Sequence, residues 1–139
     1  ISICSDGSPT GFHPRGHGTF AKMIELYVKE RKVLSLPEAV RKMTSLPAKT
    51  LQIEDRGVLR EGMKADLIIF DPSKVREKAT YPDPFQFAEG FDLVIINGKI
   101  ARENGTMVEK KAGAILKPAF ATIQVADPMQ VAYIAGWTQ

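Results

Sequence analysis

Apolar residues at helical spacing predict a helix that begins after residue 18. Thr19 can serve as its N-cap. Met23, Leu26 and Tyr27, with Ile24 as a further candidate, form an apolar stripe with spacings of three and four residues. A stripe of this kind is typical of a helix that packs on one face. We therefore expect these side chains to belong to the core rather than to a cofactor site.

Two further helix starts follow within about thirty residues. Ser35 and Glu38 have the spacing of a capping box, and Pro37 lies in the first turn, which predicts a short helix that ends near Met43. The same combination of a hydroxyl residue and a proline recurs at 44–47 and predicts a third short helix that ends near residue 51. The first half of the chain is therefore expected to be helical.

Short apolar runs bounded by turn residues predict strands. They lie at Ile1–Cys4, Ala65–Phe70, Leu93–Ile96, Lys99–Arg102 and Thr106–Val108. Between the third and fourth strands, Asn97 and Gly98 predict a two-residue hairpin, because both residue types tolerate a positive φ. Segments 7–18 and 74–90 are rich in glycine or proline and predict long surface loops.

Composition and charge exclude several classes of protein. The 139 residues, 44% of them hydrophobic and 25% charged, are typical of one globular domain. A net charge of +3, mixed along the chain, is too weak to indicate a nucleic-acid partner, and no apolar run is long enough to predict a membrane helix. A single cysteine and the lack of a visible signal peptide favour a cytoplasmic location.

Both ends of the chain favour its interpretation as a fragment. It begins with Ile1 rather than a methionine, and the segment Pro118–Gln139 has Asp127 as its one charged residue. Complete small domains usually keep their termini polar and at the surface.

Several motifs, taken in order, carry a family resemblance. They are Ser5-Asp6-Gly7, His13-Pro14-Arg15, Gly18-Thr19-Phe20, the segment 38–44, Ala65-Asp66-Leu67, Phe70-Asp71-Pro72 and Val94-Ile95-Ile96-Asn97-Gly98. Together they resemble the C-terminal part of the D-aminoacylase (N-acyl-D-amino-acid deacylase) family, within the amidohydrolase superfamily. The resemblance runs from Ile1 to about Lys117, and the first three motifs narrow it to the deacylases.

The resemblance implies a fold of class α/β plus β. Residues 1–55 would supply the last strand, active-site loop and covering helices at the C-terminal end of a metal-dependent (β/α)8 barrel. Residues 56–117 would supply the C-terminal strands of a small β-sandwich domain, while residues 118–139 form a tail outside the match. The main partner would then be the missing N-terminal part of the same enzyme.

Asp6 is the first candidate for chemistry. From the residues alone two roles stay open, because an aspartate before a glycine commonly caps a turn, whereas an aspartate at the C-terminal end of a barrel strand lies where catalytic groups gather. The resemblance implies that Asp6 is the general acid/base beside a zinc ion, which moves a proton from metal-activated water to the leaving amine.

The loop histidines and Arg15 are weaker candidates. His13 and His17 have a spacing that suits a metal only on a helix, and Pro14, Gly16 and Gly18 argue against a helix there. The resemblance implies zinc ligands on earlier strands that this chain lacks, so no metal ligand and no bound zinc are expected here. We interpret His13 and Arg15 as substrate-binding residues at the rim, with an exposed loop histidine and a surface arginine as the alternatives.

Two hypotheses for function follow. The first is the C-terminal fragment of a zinc-dependent enzyme that hydrolyses N-acyl amino acids of D configuration, with the fragment alone inactive. The second is a free-standing, non-catalytic α+β module that binds a partner chain. Under the first hypothesis, strands that lack their neighbours would associate with another copy, or segment Ala121–Ala126 of the tail would cover them.

Overall fold

The computed structural model describes residues 1–8, 10–109 and 111–116. The helical part contains α1, a π-helical segment, α2 and α3, and the sheet contains β1 to β4. Their bounds are Arg15–Lys22 (α1), Met23–Glu30 (π-helical segment), Leu36–Met43 (α2), Ser45–Thr50 (α3), Leu67–Phe70 (β1), Phe91–Ile96 (β2), Lys99–Glu103 (β3) and Thr106–Met107 (β4). Among these described residues, no helix combines the length and apolar character needed to cross a membrane. The predicted tail segment Ala121–Ala126 lies outside them.

Helix α1 begins five residues earlier than predicted, because its N-cap is Pro14 instead of Thr19. The sequence pattern placed the N-cap at Thr19, but the Thr19 hydroxyl lies within the helix and donates to the Arg15 carbonyl at 2.8 Å. The expectation that the glycines exclude a helix here was wrong. Gly18 is buried against another segment, and a Cβ on it would lie 2.4 Å from Glu77 Oε1. The glycine at position 18 is therefore explained by a tertiary contact with Glu77, and not by a loop conformation.

The helix then widens into the π-helical segment. The Arg31 N–H donates to the Leu26 carbonyl at 2.8 Å, a bond that spans five residues instead of four. Ala21 and the stripe candidate Ile24 are buried, whereas Met23, Leu26 and Tyr27 of the predicted stripe are half-buried.

The predictions for α2 and α3 are confirmed. The Ser35 Oγ accepts from the Glu38 N–H at 3.3 Å, as a capping box requires, and α2 ends at Met43. Arg41 donates to both carboxylate oxygens of Glu38 at 2.7 and 2.8 Å. This bidentate bond lowers the pKa of Glu38 to about 2.

The sheet is an antiparallel meander in the order β1-β2-β3-β4. Ile96 pairs with Lys99 across the predicted two-residue turn, where φ is +50° at Asn97 and +77° at Gly98. A positive φ at both residues matches the twist of the flanking strands. The hairpin prediction is therefore confirmed.

The strand predicted at Ile1–Cys4 is not formed within the described residues 1–8. One backbone bond holds this segment, from the Ile3 N–H to the Lys42 carbonyl at 3.0 Å. A strand needs a row of partners, and alternation of apolar residues does not supply them. Cys4 is accordingly exposed. Closure of a barrel and the β-sandwich stay predictions, as do the domain bounds at 55 and 117.

The core joins the helical part to the long loop before β2. It is centred on Ala21, Ile24 and Val75, of which Val75 is fully buried. The Lys29 ammonium donates to the carbonyl of Val75 at 3.1 Å and to that of Ser73 at 2.9 Å. The loop predicted at 74–90 is thus anchored at its start rather than free at the surface.

Arg56 links the segment after α3 to the sheet. Its guanidinium, in a side chain that is 11% exposed, donates to the Asp66 carboxylate and to Asn97 Oδ1. The other Asp66 oxygen accepts from the Asn97 N–H at 2.7 Å, and Asn97 Nδ2 donates to the Ala112 carbonyl at 2.7 Å. We refer to Arg56, Asp66 and Asn97 as the Arg56 network.

We predict that Asp66→Asn lowers the free energy of unfolding by about 1–2 kcal/mol near neutral pH, because the variant loses a charge-assisted bond to Arg56. Burial alone would raise the pKa of Asp66, but the Asn97 N–H and Arg56 hold it below the ordinary value. A lowered folded-state pKa contributes stability above the unfolded pKa of about 3.9 and loses it as the pH falls through the folded value.

Urea unfolding at several pH values checks this prediction. The difference between wild type and Asp66→Asn should be full above pH ~4 and shrink at lower pH. The exposed Asp92 on β2 offers the matched control Asp92→Asn. A difference that grows on acidification, or equal effects of the two variants, would contradict the network.

A second prediction concerns Gly90, which closes the long loop. Gly90 and Gly62 have nearly the same φ, +86° and +83°, but a Cβ on Gly90 would lie 2.6 Å from the Val75 nitrogen, whereas one on Gly62 meets nothing within 4 Å. Gly62→Ala should cost about 1 kcal/mol for the left-handed backbone alone. Gly90→Ala should cost about 1–3 kcal/mol more, because backbone must move. Similar thermal unfolding midpoints for the two variants would rule this packing out.

Candidate functional site

Asp6 and Arg15 form an ion pair at the start of α1. The Arg15 Nη2 donates to Asp6 Oδ2 at 2.5 Å. The side chains are 74% and 49% exposed, so the pair faces solvent in this chain. The sequence singled out both residues separately, and the structure brings them together.

Close approach of two glycines makes this pairing possible. A Cβ on Gly7 would lie 3.1 Å from the Gly16 Cα, which is tighter than ordinary side-chain contacts allow. Asp6 itself has a φ of +49°, a conformation that aspartate tolerates better than most residues. The turn at Asp6 therefore lies directly against the first turn of α1, where Arg15 is the first residue.

His13 is held at both ring nitrogens. Its Nδ1 accepts from the Arg15 N–H at 3.1 Å, and its Nε2 lies 3.2 Å from the Tyr81 hydroxyl. The two rings also meet edge to face, with their centroids 5.1 Å apart. His13 thus connects the start of α1 with the long loop.

A cleft of about 390 Å³ lies between α1 and this loop. It is lined by His13, Pro14, Arg15, Gly18, Thr19, Lys22, Glu77, Ala79, Thr80, Tyr81 and Pro82. Arg15 lines the cleft and also bonds Asp6, so the carboxylate lies at the edge of the cleft. Arg15 and Lys22 give one wall a basic character that suits an anionic ligand.

Tyr81 is a site residue that the sequence pattern does not predict, because it lies in a proline-rich loop. Aromatic residues in that loop contact rings before and within α1: the ring centroids of Phe12 and Phe85 are 5.4 Å apart, and those of His17 and Phe85 are 5.5 Å apart. His17 therefore packs on the rings of the long loop. Three aromatic residues at 81, 85 and 87, unusual in a polar loop, were the signal available in the sequence.

The described residues contain no group of three or more His, Cys, Asp or Glu side chains near enough to hold a metal ion together. A zinc site in an enzyme commonly needs about three protein ligands. The Asp6 carboxylate forms an ion pair with the Arg15 guanidinium. By themselves these residues do not fit a zinc site.

The model of the Amidohydrolase family matches residues 2–102, which include the Asp6–Arg15 pair, the cleft and most of the sheet. The chain belongs to the amidohydrolase family. Of its relatives, the N-acyl-D-aspartate deacylase of Alcaligenes xylosoxydans xylosoxydans is 37% identical over 119 residues, which cover 84% of this chain and 24% of the relative.

Two solved structures extend this similarity to the fold. A crystal structure of D-aminoacylase superimposes with a TM-score of 0.72 at 35% identity, covering 76% of this chain and 22% of the neighbour. The second structure is an N-acyl-D-glutamate deacylase from Bordetella bronchiseptica, complexed with zinc and a phosphonate mimic of the reaction's tetrahedral intermediate. It superimposes with a TM-score of 0.64 at 36% identity, covering 68% of this chain and 20% of the neighbour. The chain thus spans about a quarter or less of the length of these relatives.

Proposed function

We propose that the protein containing this chain hydrolyses the amide bond of N-acyl-D-amino acids, and that this chain is its C-terminal part. The observation that carries the proposal is the Asp6–Arg15 pair at the edge of a cleft, 2.5 Å apart, in a chain related to named deacylases. A carboxylate and a guanidinium side by side supply a group that moves a proton and a group that binds a carboxylate.

Asp6 is the general acid/base of this reaction. Its carboxylate accepts a proton from the attacking water and delivers it to the amine that leaves as the amide C–N bond breaks. The exposed position of Asp6 in this chain leaves room for the substrate and for the rest of the protein.

Arg15 binds the carboxylate of the substrate. Its guanidinium has five N–H donors, and the bond to Asp6 is made through Nη2. A substrate carboxylate bound at the same fork lies beside Asp6, which brings the scissile amide near the proton-transferring group. His13 lines the same cleft and supports the rim of this subsite.

Zinc is the metal of the full-length enzyme, held by residues outside this chain, and supplies the Lewis acid of the reaction when bound. The relative with zinc and a phosphonate inhibitor supports this choice. The N-terminal part of the same protein is accordingly the main partner, and the chain alone is inactive.

We predict that Asp6→Asn in the full-length protein lowers kcat about 10²- to 10⁴-fold while the protein stays folded. Asparagine keeps the shape of the side chain and can still accept from Arg15, but it cannot carry the proton. Release of free amine from N-acetyl-D-amino acids, compared with their L enantiomers, measures the effect.

Asp92→Asn, at an exposed position on β2, is the matched control and should keep full activity. Turnover by Asp6→Asn within a few-fold of the wild type would return Asp6 to the role of a turn residue. If the full-length wild type releases no amine from any N-acyl amino acid, the deacylase proposal itself fails.

A further inference from the structure

We propose that Tyr81 is a positioning residue: through His13 it holds the first turn of α1 so that Arg15 is directed toward the substrate carboxylate. The inference rests on the deacylase function proposed above and on the carboxylate-binding role of Arg15. It adds a residue from the long loop that has no assigned role in that function.

The first step is the cap that His13 provides. The first N–H groups of a helix have no partner inside the helix, and side chains commonly accept from them. The structure gives α1 no side-chain bond from its N-cap residue, Pro14. His13 Nδ1 instead accepts from the N–H of Arg15, the first residue of α1, at 3.1 Å. The imidazole therefore fixes the backbone from which the Arg15 side chain leaves.

The second step is the tautomer of His13. An Nδ1 that accepts a bond from Arg15 carries no proton, so the neutral ring has its proton on Nε2. His13 Nε2 lies 3.2 Å from the Tyr81 hydroxyl. In this tautomer the Nε2–H donates a hydrogen bond to the hydroxyl oxygen. Tyr81 thus stabilises the tautomer that the cap needs, and its ring holds the imidazole edge to face at 5.1 Å.

The third step is the anchor of Tyr81 itself. The loop that carries it is bonded to the helical part, because the Glu77 N–H donates to Glu25 Oε2 at 2.7 Å. Beyond this point Ala79 is buried, and the Thr80 N–H donates to the Asp83 carbonyl at 3.0 Å across Tyr81. The backbone on both sides of Tyr81 is therefore fixed, which a positioning role requires.

Tyr81→Phe in the full-length protein tests the inference, because it keeps the ring and removes the hydroxyl. We expect KM for N-acyl-D-amino acids to rise about 2- to 10-fold, the effect of one hydrogen bond, with kcat within twofold of wild type. Tyr27→Phe is the matched control and should leave both constants unchanged. Tyr27 lies in the π-helical segment, where the Arg31 guanidinium carbon is 5.7 Å from the centroid of the Tyr27 ring.

A second variant separates positioning from direct substrate contact. Asparagine at 13 can cap a helix but cannot reach Tyr81 as the imidazole does, so Tyr81→Phe should have no further effect in a His13→Asn background. An unchanged KM in Tyr81→Phe, a fall in kcat as large as the rise in KM, or full additivity of the two substitutions would each overturn the inference. A wild type without deacylase activity would instead count against the proposed function, since no constant could then be measured.

Discussion

The described fold depends most on one buried guanidinium. Arg56 lies in the segment between α3 and β1, and a charge with so little exposure is stable only when its donors find acceptors. The two terminal nitrogens find them on Asp66, immediately before β1, and on Asn97, in the turn between β2 and β3, whereas Nε is buried without a hydrogen-bond partner among the described residues. Because Asn97 Nδ2 also donates to the Ala112 carbonyl, the Arg56 network connects the segment after α3, the start of β1, the β2–β3 turn and the segment after β4.

The candidate site is built where the long loop packs on the helical part. Ile24 and Val75 pack the long loop against the π-helical segment, and Lys29 and Glu25 bond its backbone. The loop then presents Tyr81 to His13, and His13 caps the helix that begins with Arg15. The position of Arg15 beside Asp6 therefore results from a series of tertiary contacts, and not from the neighbouring residues in sequence alone.

Sequence analysis succeeded where the determining interaction is local. The cap of α2 by Ser35 and the hairpin at Asn97 and Gly98 depend on neighbours within a few residues, and both are found as predicted. The site roles predicted for Asp6 and Arg15 stay predictions, and their ion pair was not foreseen. The family, which the order of several motifs indicated, is confirmed by the match over residues 2–102.

The errors arose where a distant segment decides the outcome. Gly18 was taken for a loop residue because the sequence does not reveal that Glu77 packs on it. Ile1–Cys4 alternates like a strand, but alternation alone does not provide the partners for its backbone. Tyr81 was overlooked for the same reason, since its importance lies in a contact with His13 from another loop.

A double-mutant cycle measures the coupling between Arg56 and Asn97. This coupling tests whether Arg56 joins the segment after α3 to the sheet through Asn97. Arg56→Met removes the guanidinium, and Asn97→Gly removes the amide while it keeps a residue that tolerates the positive φ of this turn. Urea unfolding of the two single variants and the double variant gives the coupling energy. The account predicts a coupling of about 1 kcal/mol, because the two side chains share a bond. Single effects that add to within about 0.3 kcal/mol would contradict it.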